Sequence, residues 1–419
     1  MASESNKRAR IRDSARDFTL LIAPVRGLVS AEGGIKAIVA VLSKVQDRRM
    51  RGKVKYPLEN VLAALIYISL KGELTSCCYA ADFISVQRDE LVRIGLWPDG
   101  IPAPSHDTIR NVLMGLDSSS LRKNVVDRLR RMMERASESS GAKGIRMVSA
   151  DGQEANGSGR KGSARNANIM DYHDVSGGAC LLSVPIGDKE SEIKTLQGML
   201  RAMNLRNTLV TADALHCQRE TCSIITGKRG KFMFKVKDNQ PGLVKDIDER
   251  MSRPGAKIVR GSAYGYDYEI LFLKNPAGHD FEGTRAYVRA VSHKRDAHKG
   301  NSPTVHRLIT SLGDVETILE GLDLMWEIED GLHSFRDVQL GQDRVRLMDK
   351  RALESIATIN NAVYALHRVA TPLLGFDRMQ LTRIKFKNDT SSTLALVGSL
   401  LKGKSFDALL KKAVEKKGA

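Results

Sequence analysis

The spacing of apolar residues changes character once along this chain of 419 residues, and that change limits what each part can fold into. From residue 34 to about residue 140, apolar residues recur at steps of three and four, which is typical of amphipathic helices. After Gly144 the pattern becomes short apolar runs bounded by Gly, Ser and Asp, which indicates strands. The sequence therefore predicts an all-α region over residues 1–143 and an α/β region after it.

The α/β region begins with three predicted strands and then alternates helix with strand, an order typical of a mixed α/β sheet. The strands are expected at residues 145–150, 169–175, 179–186, 208–212 and 231–236, with the second and third forming a hairpin. Strand character returns in a β-rich insertion, and helices follow it. We divide the chain into residues 1–143, 144–252 for the first part of the core, 253–313 for the insertion, 314–375 for the second part of the core, and 376–419 for a basic helical tail.

Charge and cysteine content narrow the class of protein. Lys and Arg number 66 against 49 Asp and Glu, so the formal net charge is +17, and a polyanion, first of all nucleic acid, is the expected partner. Five cysteines without a CxxC pair argue against a disulfide framework or a structural zinc site. The longest nearly apolar run, residues 61–70, is far shorter than the roughly 20 residues of a membrane span. The first 16 residues show no secretion signal, so we expect a cytoplasmic protein, associated with the nucleoid when bound to DNA.

The helical region has two interpretations. Helices expected around residues 105–116 and 118–133 are rich in Arg and joined by a tight turn, which fits a helix-turn-helix DNA reader. The same pattern fits a helical packing domain with a solvated basic face. The sequence does not separate the two.

Two aspartates, Asp151 and Asp213, each follow the apolar run of a predicted strand. In α/β sheets, ligands collect at the carboxyl ends of strands, so both side chains can face one crevice. For either residue alone, turn formation or helix capping is the alternative.

A helix predicted over residues 315–336 supplies a third carboxylate. Its apolar stripe continues through Glu329, His333 and Arg336 at steps of three and four, so Glu329 is expected to face inward. A buried carboxylate requires an ion pair or a bound cation. Arg336 is the structural alternative as its partner, and a histidine such as His333 is more often a core residue than a metal ligand.

Three acids converging from two strand ends and one helix would form a site of hard oxygen donors, which Mg²⁺ and Mn²⁺ prefer. Two such ions, roughly 3.5–4 Å apart, clamp the attacking and leaving oxygens of an in-line phosphoryl displacement. The reaction expected at such a site is the cleavage and joining of DNA strands.

Four sequence blocks resemble a known family. They are Asp-Gly at 151–152, Val-Thr-Ala-Asp-Ala-Leu-His-Cys-Gln-Arg at 210–219, Phe-Lys-Val-Lys-Asp-Asn-Gln-Pro at 234–241, and Trp-Glu-Ile-Glu-Asp-Gly-Leu-His at 326–333. In this order they resemble bacterial insertion-sequence DDE transposases of the ISAs type, a group that includes the H-repeat-associated proteins. The resemblance extends from about residue 34 to residue 370.

The resemblance implies a fold and a set of site residues. The fold is α/β, with an RNase H-like mixed sheet core, interrupted by the β-rich insertion and preceded by the all-α N-terminal domain. Asp151, Asp213 and Glu329 would be the catalytic, metal-binding triad for two Mg²⁺ ions, which Mn²⁺ can replace. The residues expected on the DNA side are Lys237, Asn239, Gln240, His333 and Arg336, together with Arg160, Lys161 and Arg165. A polar turn between strand and helix is the alternative interpretation of residues 237–240.

The chain also departs from the family pattern. After Asp151 the family usually carries Lys and then Arg, where this chain has Gln153 and Asn156. Before the glutamate, the usual Arg and His are replaced by Asp323 and Met325. These changes should weaken phosphate contacts more than metal binding.

The leading hypothesis is a metal-dependent transposase that acts on the terminal repeats of its element and on target DNA, as a homodimer or larger assembly. One alternative is a catalytically impaired, transposase-derived DNA-binding protein. Another is a nuclease that cuts DNA without joining it.

Overall fold

The computed structural model describes residues 30–402, except for positions 51, 73, 140–144, 156–166, 187–188, 264–265, 279, 295–302, 326 and 348. These residues form a mixed α/β fold in which helices precede one large sheet and further helices follow it, as the sequence predicted. Across the described ranges, no helix combines the length and the apolar character that crossing a bilayer requires.

The part of the chain ahead of the sheet is helical. Its helices are α1 (Ala31–Leu42), α2 (Leu58–Lys71), α3 (Cys77–Val86), α4 (Arg88–Arg93), α5 (His106–Gly115), α6 (Ser118–Asn124) and α7 (Val126–Ser139). Several begin at a polar cap. The hydroxyl of Ser30 accepts a hydrogen bond from the backbone N–H of Gly33, and that of Ser76 accepts one from Tyr79, which satisfies donors that a first helical turn leaves free.

Within the part of the chain that the structure describes, nine strands form a single sheet in the order β3-β2-β1-β4-β5-β9-β8-β7-β6. The strands are β1 (Arg146–Ala155), β2 (Ala167–Asp174), β3 (Ala179–Ile186), β4 (Thr208–Ala212), β5 (Lys231–Val236), β6 (Lys257–Ala263), β7 (Tyr266–Lys274), β8 (Ala286–Lys294) and β9 (Thr304–Thr310). β4 pairs in parallel with β1 and β5, and the remaining pairs are antiparallel. The predicted insertion thus extends the core sheet through the pairing of β9 with β5.

The first strand is longer than the sequence suggested. The apolar run ends before Asp151, but β1 continues to Ala155 because its last residues pair with β2 as a hairpin, with Gly152 opposite Met170. Asp151 therefore lies inside a strand rather than at its end.

From residue 189 onward, helices cover both faces of the sheet, except for the last two, which pack against other helices. They are α8 (Lys189–Ala202), α9 (Arg219–Gly227), α10 (Pro241–Met251), α11 (Val315–Leu324), α12 (Lys350–Leu373), α13 (Met379–Asn388) and α14 (Thr390–Lys402). Leu196 of α8 packs in one apolar core with Val148. Ile318 of α11 packs in a second core with Met147 on the opposite face, as the alternation of side chains along β1 requires.

The helical region shares a third apolar core with the end of the chain. Leu65 of α2 and Val363 of α12 belong to this core, and Leu394 of α14 joins it. The backbones of α1 and α14 touch at Gly34 and Gly398: a Cβ at Gly34 would lie 2.3 Å from the carbonyl oxygen of Leu394. The first part of the predicted tail is therefore a packed helix pair, while residues 403–419 lie outside the described ranges.

The predicted helix over residues 315–336 is not one α-helix. α11 ends at Leu324, and wider π-helical turns follow at Glu327–His333 and Phe335–Gln339. A π-helical turn rotates each residue relative to the α-helical period, so Ile328 and Leu332 turn inward. The expectation that Glu329 faces the interior is wrong, because this residue is exposed.

Candidate functional site

Neighbouring parallel strands place two of the predicted acids side by side. β1 and β4 pair with Ala150 opposite Ala212, so Asp151 and Asp213 are the next residues in the same register. β4 and β5 continue this register, which puts Lys235 beside Asp213. Asp151, Asp213 and Lys235 therefore follow one another across three adjacent strands.

The charges around Asp151 bring Glu329 into the same site. The pKa of Asp151 is raised to about 6, first by burial and further by the negative charges of Glu329 and Asp213, while His333 opposes the increase. Burial lowers the pKa of Lys235, and Glu329, Asp213 and Asp151 oppose that decrease. The three acids named from the sequence thus share one electrostatic neighbourhood.

Asp213 differs from Asp151 in the direction in which the protein shifts its pKa. Burial favours its protonated form, but the backbone N–H of Ala214 and the ammonium group of Lys237 together hold its pKa below the usual value. Lys237 Nζ lies 3.2 Å from Asp213 Oδ1, and 61% of the Lys237 side chain is exposed. Lys237 therefore adds an accessible positive charge at the edge of the acidic group.

Asp151, Asp213 and Glu329 are close enough to affect one another's charge, but their side chains are not arranged around one common metal position. Among the described residues, no three His, Cys, Asp or Glu side chains are arranged to hold one metal ion in common.

Asp171 is a fourth acid that the sequence analysis missed. It lies opposite Asp151 on β2, is fully buried, and accepts a hydrogen bond of 2.5 Å from the hydroxyl of Ser183. His333 Nε2 lies 3.0 Å from Asp171 Oδ2, and His333 Nδ1 lies 3.7 Å from Asp151 Oδ2. An acid within a predicted strand, between Met170 and Tyr172, was the available signal.

Arg336 is the second partner of Asp171, and its predicted contact with DNA is wrong in this structure. The guanidinium group is fully buried and forms an ion pair with Asp171. It also donates to the side-chain oxygens of Gln153 and Asn361, the latter at 2.9 Å. Because a guanidinium enclosed by these groups cannot reach a phosphate, Arg336 is structural, and its partner is Asp171 rather than Glu329. His333 is likewise mostly buried, between Asp151 and Asp171.

Gln153 explains one departure from the family pattern. Its side-chain oxygen accepts hydrogen bonds from Arg336 and from Gln342, and its amide donates to Asp337 at 2.6 Å. A positive residue at this buried position would face Arg336 directly. The neutral amide of Gln153 can both accept and donate hydrogen bonds, and it therefore fits the buried hydrogen-bond network around Arg336.

Asn239 and Gln240 lie in the turn between β5 and α10 and hold the turn that follows Asp213. Asn239 Nδ2 donates to the carbonyl oxygen of Ala214 at 2.8 Å, and Gln240 Nε2 donates to that of Cys217 at 3.1 Å. Both amides therefore stabilise the turn after Asp213, and their proposed contact with DNA stays a prediction. Arg160, Lys161 and Arg165 lie outside the described residues.

The chain is similar in sequence to several known proteins. The DDE_Tnp_1-associated family model matches residues 39–127, which lie in the helical region. "Putative transposase YncI" of Escherichia coli O157:H7 is 24% identical over 359 residues, which cover 81% of this chain and 90% of the relative. "H repeat-associated putative transposase YhhI" of Escherichia coli K12 is 22% identical over 350 residues, which cover 78% and 89% of the two chains.

A solved structure, a piggyBac transposase synaptic complex with hairpin DNA, covers 93% of this chain and 85% of its own at 12% identity, with a TM-score of 0.39. That likeness is too weak to carry an argument about the fold. The sequence relatives confirm the class predicted from the motifs, since the chain is similar to bacterial DDE transposases. Within that class, the resemblance is to the H-repeat-associated group.

Proposed function

We propose that this protein is a metal-dependent DNA transposase that cleaves the ends of an insertion sequence and joins them to target DNA. The observation that carries the proposal is the convergence of Asp151, Asp213 and Glu329 on one neighbourhood beside Lys235. The sheet order, with three antiparallel strands followed by two parallel ones, supports an RNase H-like core beneath this site.

The donor set fits a divalent cation. The three side chains are carboxylates, the ligands that Mg²⁺ and Mn²⁺ prefer. Burial raises the pKa of Asp151, and the negative charges of Glu329 and Asp213 raise it further, so a bound cation would relieve the repulsion among the three carboxylates. Asp151, Asp213 and Glu329 would hold two Mg²⁺ ions, which supply activation of the attacking oxygen and stabilisation of the leaving oxygen when bound.

The surroundings of the acids suit a DNA strand. Lys237 is mostly exposed and can meet a phosphate directly, while Glu329 is exposed and would meet one through a bound cation. The net charge of +17 favours double-stranded DNA as the partner by the electrostatic term that is common to all sequences. Joining two ends of one element requires that two ends be held together, so we propose a homodimer or larger assembly on DNA.

One observation favours a second candidate, a DNA-binding protein descended from such an enzyme but impaired in catalysis. Arg336 is enclosed by Asp171, and Gln153 replaces a basic residue of the family pattern, so two positive charges that would meet DNA are missing from the surface.

A cleavage and strand-transfer assay on the terminal repeats of the element, with Mg²⁺ or Mn²⁺, tests the proposal. We expect Glu329→Gln to reduce cleavage by about 100-fold or more, because loss of a ligand removes several kcal/mol of transition-state stabilisation. Asp330→Asn is the matched control, since this neighbouring acid is also exposed.

Equal cleavage by the wild-type protein and the Glu329→Gln variant would refute the assigned role. Salt-sensitive binding to the repeats by a wild-type protein that nicks DNA with neither ion would favour the second candidate.

A further inference from the structure

An acid outside the proposed triad, Glu192 of α8, lies against the backbone of the strand that carries Asp151. A Cβ built on Gly152 would lie 3.0 Å from Glu192 Oε1 and 3.3 Å from Glu192 Oε2. Side chains alternate along a strand, so this contact is on the face opposite to Asp151. Glycine at position 152 leaves the space in which the carboxylate of Glu192 rests.

The same carboxylate holds the turn that carries Asp213. Glu192 Oε1 lies 3.1 Å from His216 Nε2, and only 1% of the His216 side chain is exposed. His216 closes the short 3₁₀ turn Ala214–His216, which begins directly after Asp213. The other ring nitrogen of His216 is buried and has no hydrogen-bond partner within the described ranges, so the contact with Glu192 fixes the orientation of the ring.

Two further side chains support this turn from the opposite direction. Asn239 and Gln240 bind the carbonyl oxygens of Ala214 and Cys217 from the turn after β5. They tie Asp213 to β5 and not to the strand of Asp151. The contact between Glu192 and His216 therefore adds a side-chain link between the Asp213 turn and the backbone beside Asp151.

We propose that Glu192 and His216 form a positioning pair that holds the Asp213 turn in its orientation relative to Asp151. The inference rests on the proposed function, since it concerns the two acids as ligands of one metal site. Neither residue touches the reacting atoms: Glu192 acts through His216 and the turn. Groups that orient metal ligands in this way change metal affinity by about 10- to 100-fold when they are removed.

Titration of the full-length protein with Mn²⁺, followed by the loss of the free-ion electron paramagnetic resonance signal, tests the pair without any measurement of catalysis. We expect Glu192→Ala and His216→Ala each to weaken Mn²⁺ binding by about 10-fold. The double variant should be little weaker than either single variant, because both remove the same link. Glu192→Gln should restore most of the affinity, because the amide oxygen still accepts from the ring of His216.

Gly152→Ala provides an independent perturbation, since its methyl group pushes the carboxylate of Glu192 away from the strand and should also weaken Mn²⁺ binding. Glu220→Gln is the matched control: Glu220 belongs to the neighbouring α9, is 61% exposed, and pairs with Arg201. It removes one negative charge without touching the turn, so Mn²⁺ affinity should not change.

Three results would overturn the inference. The first is Mn²⁺ affinity in Glu192→Ala within twofold of the wild-type value. The second is an equal loss in Glu192→Gln, which would mean that the charge of Glu192, rather than its hydrogen bond, matters. The third is an equal loss in Glu220→Gln. A wild-type protein that binds no Mn²⁺ would instead refute the proposed metal site itself, so the two failures are distinct.

Discussion

Replacing Asp171 with Asn removes the negative charge that compensates the most deeply buried cation of the site. Arg336 is fully buried and forms its ion pair with Asp171, while His333 Nε2 lies 3.0 Å from the same carboxylate. Asn keeps the shape of the side chain but leaves the guanidinium charge in the interior without a counter-ion. Breaking a buried ion pair in this way costs about 3–5 kcal/mol.

That cost is a large fraction of the 5–15 kcal/mol that holds a typical domain in its folded state. For a urea dependence of about 3 kcal/mol per molar, the unfolding midpoint should fall by roughly 1–1.7 M. Equilibrium urea unfolding, followed by circular dichroism, measures this shift. The double variant Asp171→Asn/Arg336→Met should recover most of it, because it removes both buried charges.

The pH dependence of stability provides a second signature. Burial alone would raise the pKa of Asp171, but Arg336 and His333 lower it well below the usual carboxyl range. The charged carboxylate therefore stabilises the fold above the ordinary value of about 3.9, and this contribution is lost as the pH falls below that value. The stability difference between wild type and Asp171→Asn should narrow below pH 4.

The control is Glu32→Gln, which removes an exposed acid paired with Lys36 and should leave the midpoint unchanged. The reasoning is refuted if Asp171→Asn unfolds at the same urea concentration as this control.

Three further predictions concern the metal site, the DNA surface and the helix packing. Because the pKa of Asp151 is raised to about 6, chiefly by burial, Mn²⁺ affinity should fall about tenfold per pH unit below 6 as the ion competes with a proton; an affinity that is flat between pH 5 and pH 7 would contradict this. Lys237→Ala should weaken DNA binding equally for all sequences and reduce the slope of log affinity against log salt by about 1. The control is Lys245→Ala, which removes an exposed lysine paired with Glu249 and should have less effect on DNA binding. Gly34→Ala should destabilise the protein by about 1–3 kcal/mol, because its methyl group meets the backbone of α14. The control is Gly198→Ala, whose methyl group meets no atom within 4 Å and should not destabilise the protein. Equal unfolding midpoints for the two variants would argue against the packing of α1 on α14.

Local patterns predicted the helical and sheet regions because they depend on short-range periodicity. The helical spacing before Gly144 and the apolar runs after it correspond to the observed elements, with β1 extended by its hairpin partner. The same reasoning brought Asp151 and Asp213 together, since β1 and β4 are adjacent parallel strands and the two acids come next to each other in their register.

The interpretation failed where a residue's environment depends on distant parts of the chain. The period of an α-helix could not show that residues 327–339 adopt π-helical turns, in which Glu329 is exposed. Nor could it identify Asp171 as the partner of Arg336, because that pair joins β2 to a segment more than 160 residues later.

Residue type and short spacing were enough to predict the order of helices and strands, the positive charge and the three candidate acids. Contacts between distant parts of the chain decide which charges are available to a ligand and which are used in the interior. The physical reason is that burying a charge is tolerated only beside a compensating group, and long-range packing brings that group into place. Arg336 beside Asp171 and Glu192 beside His216 are both products of that packing.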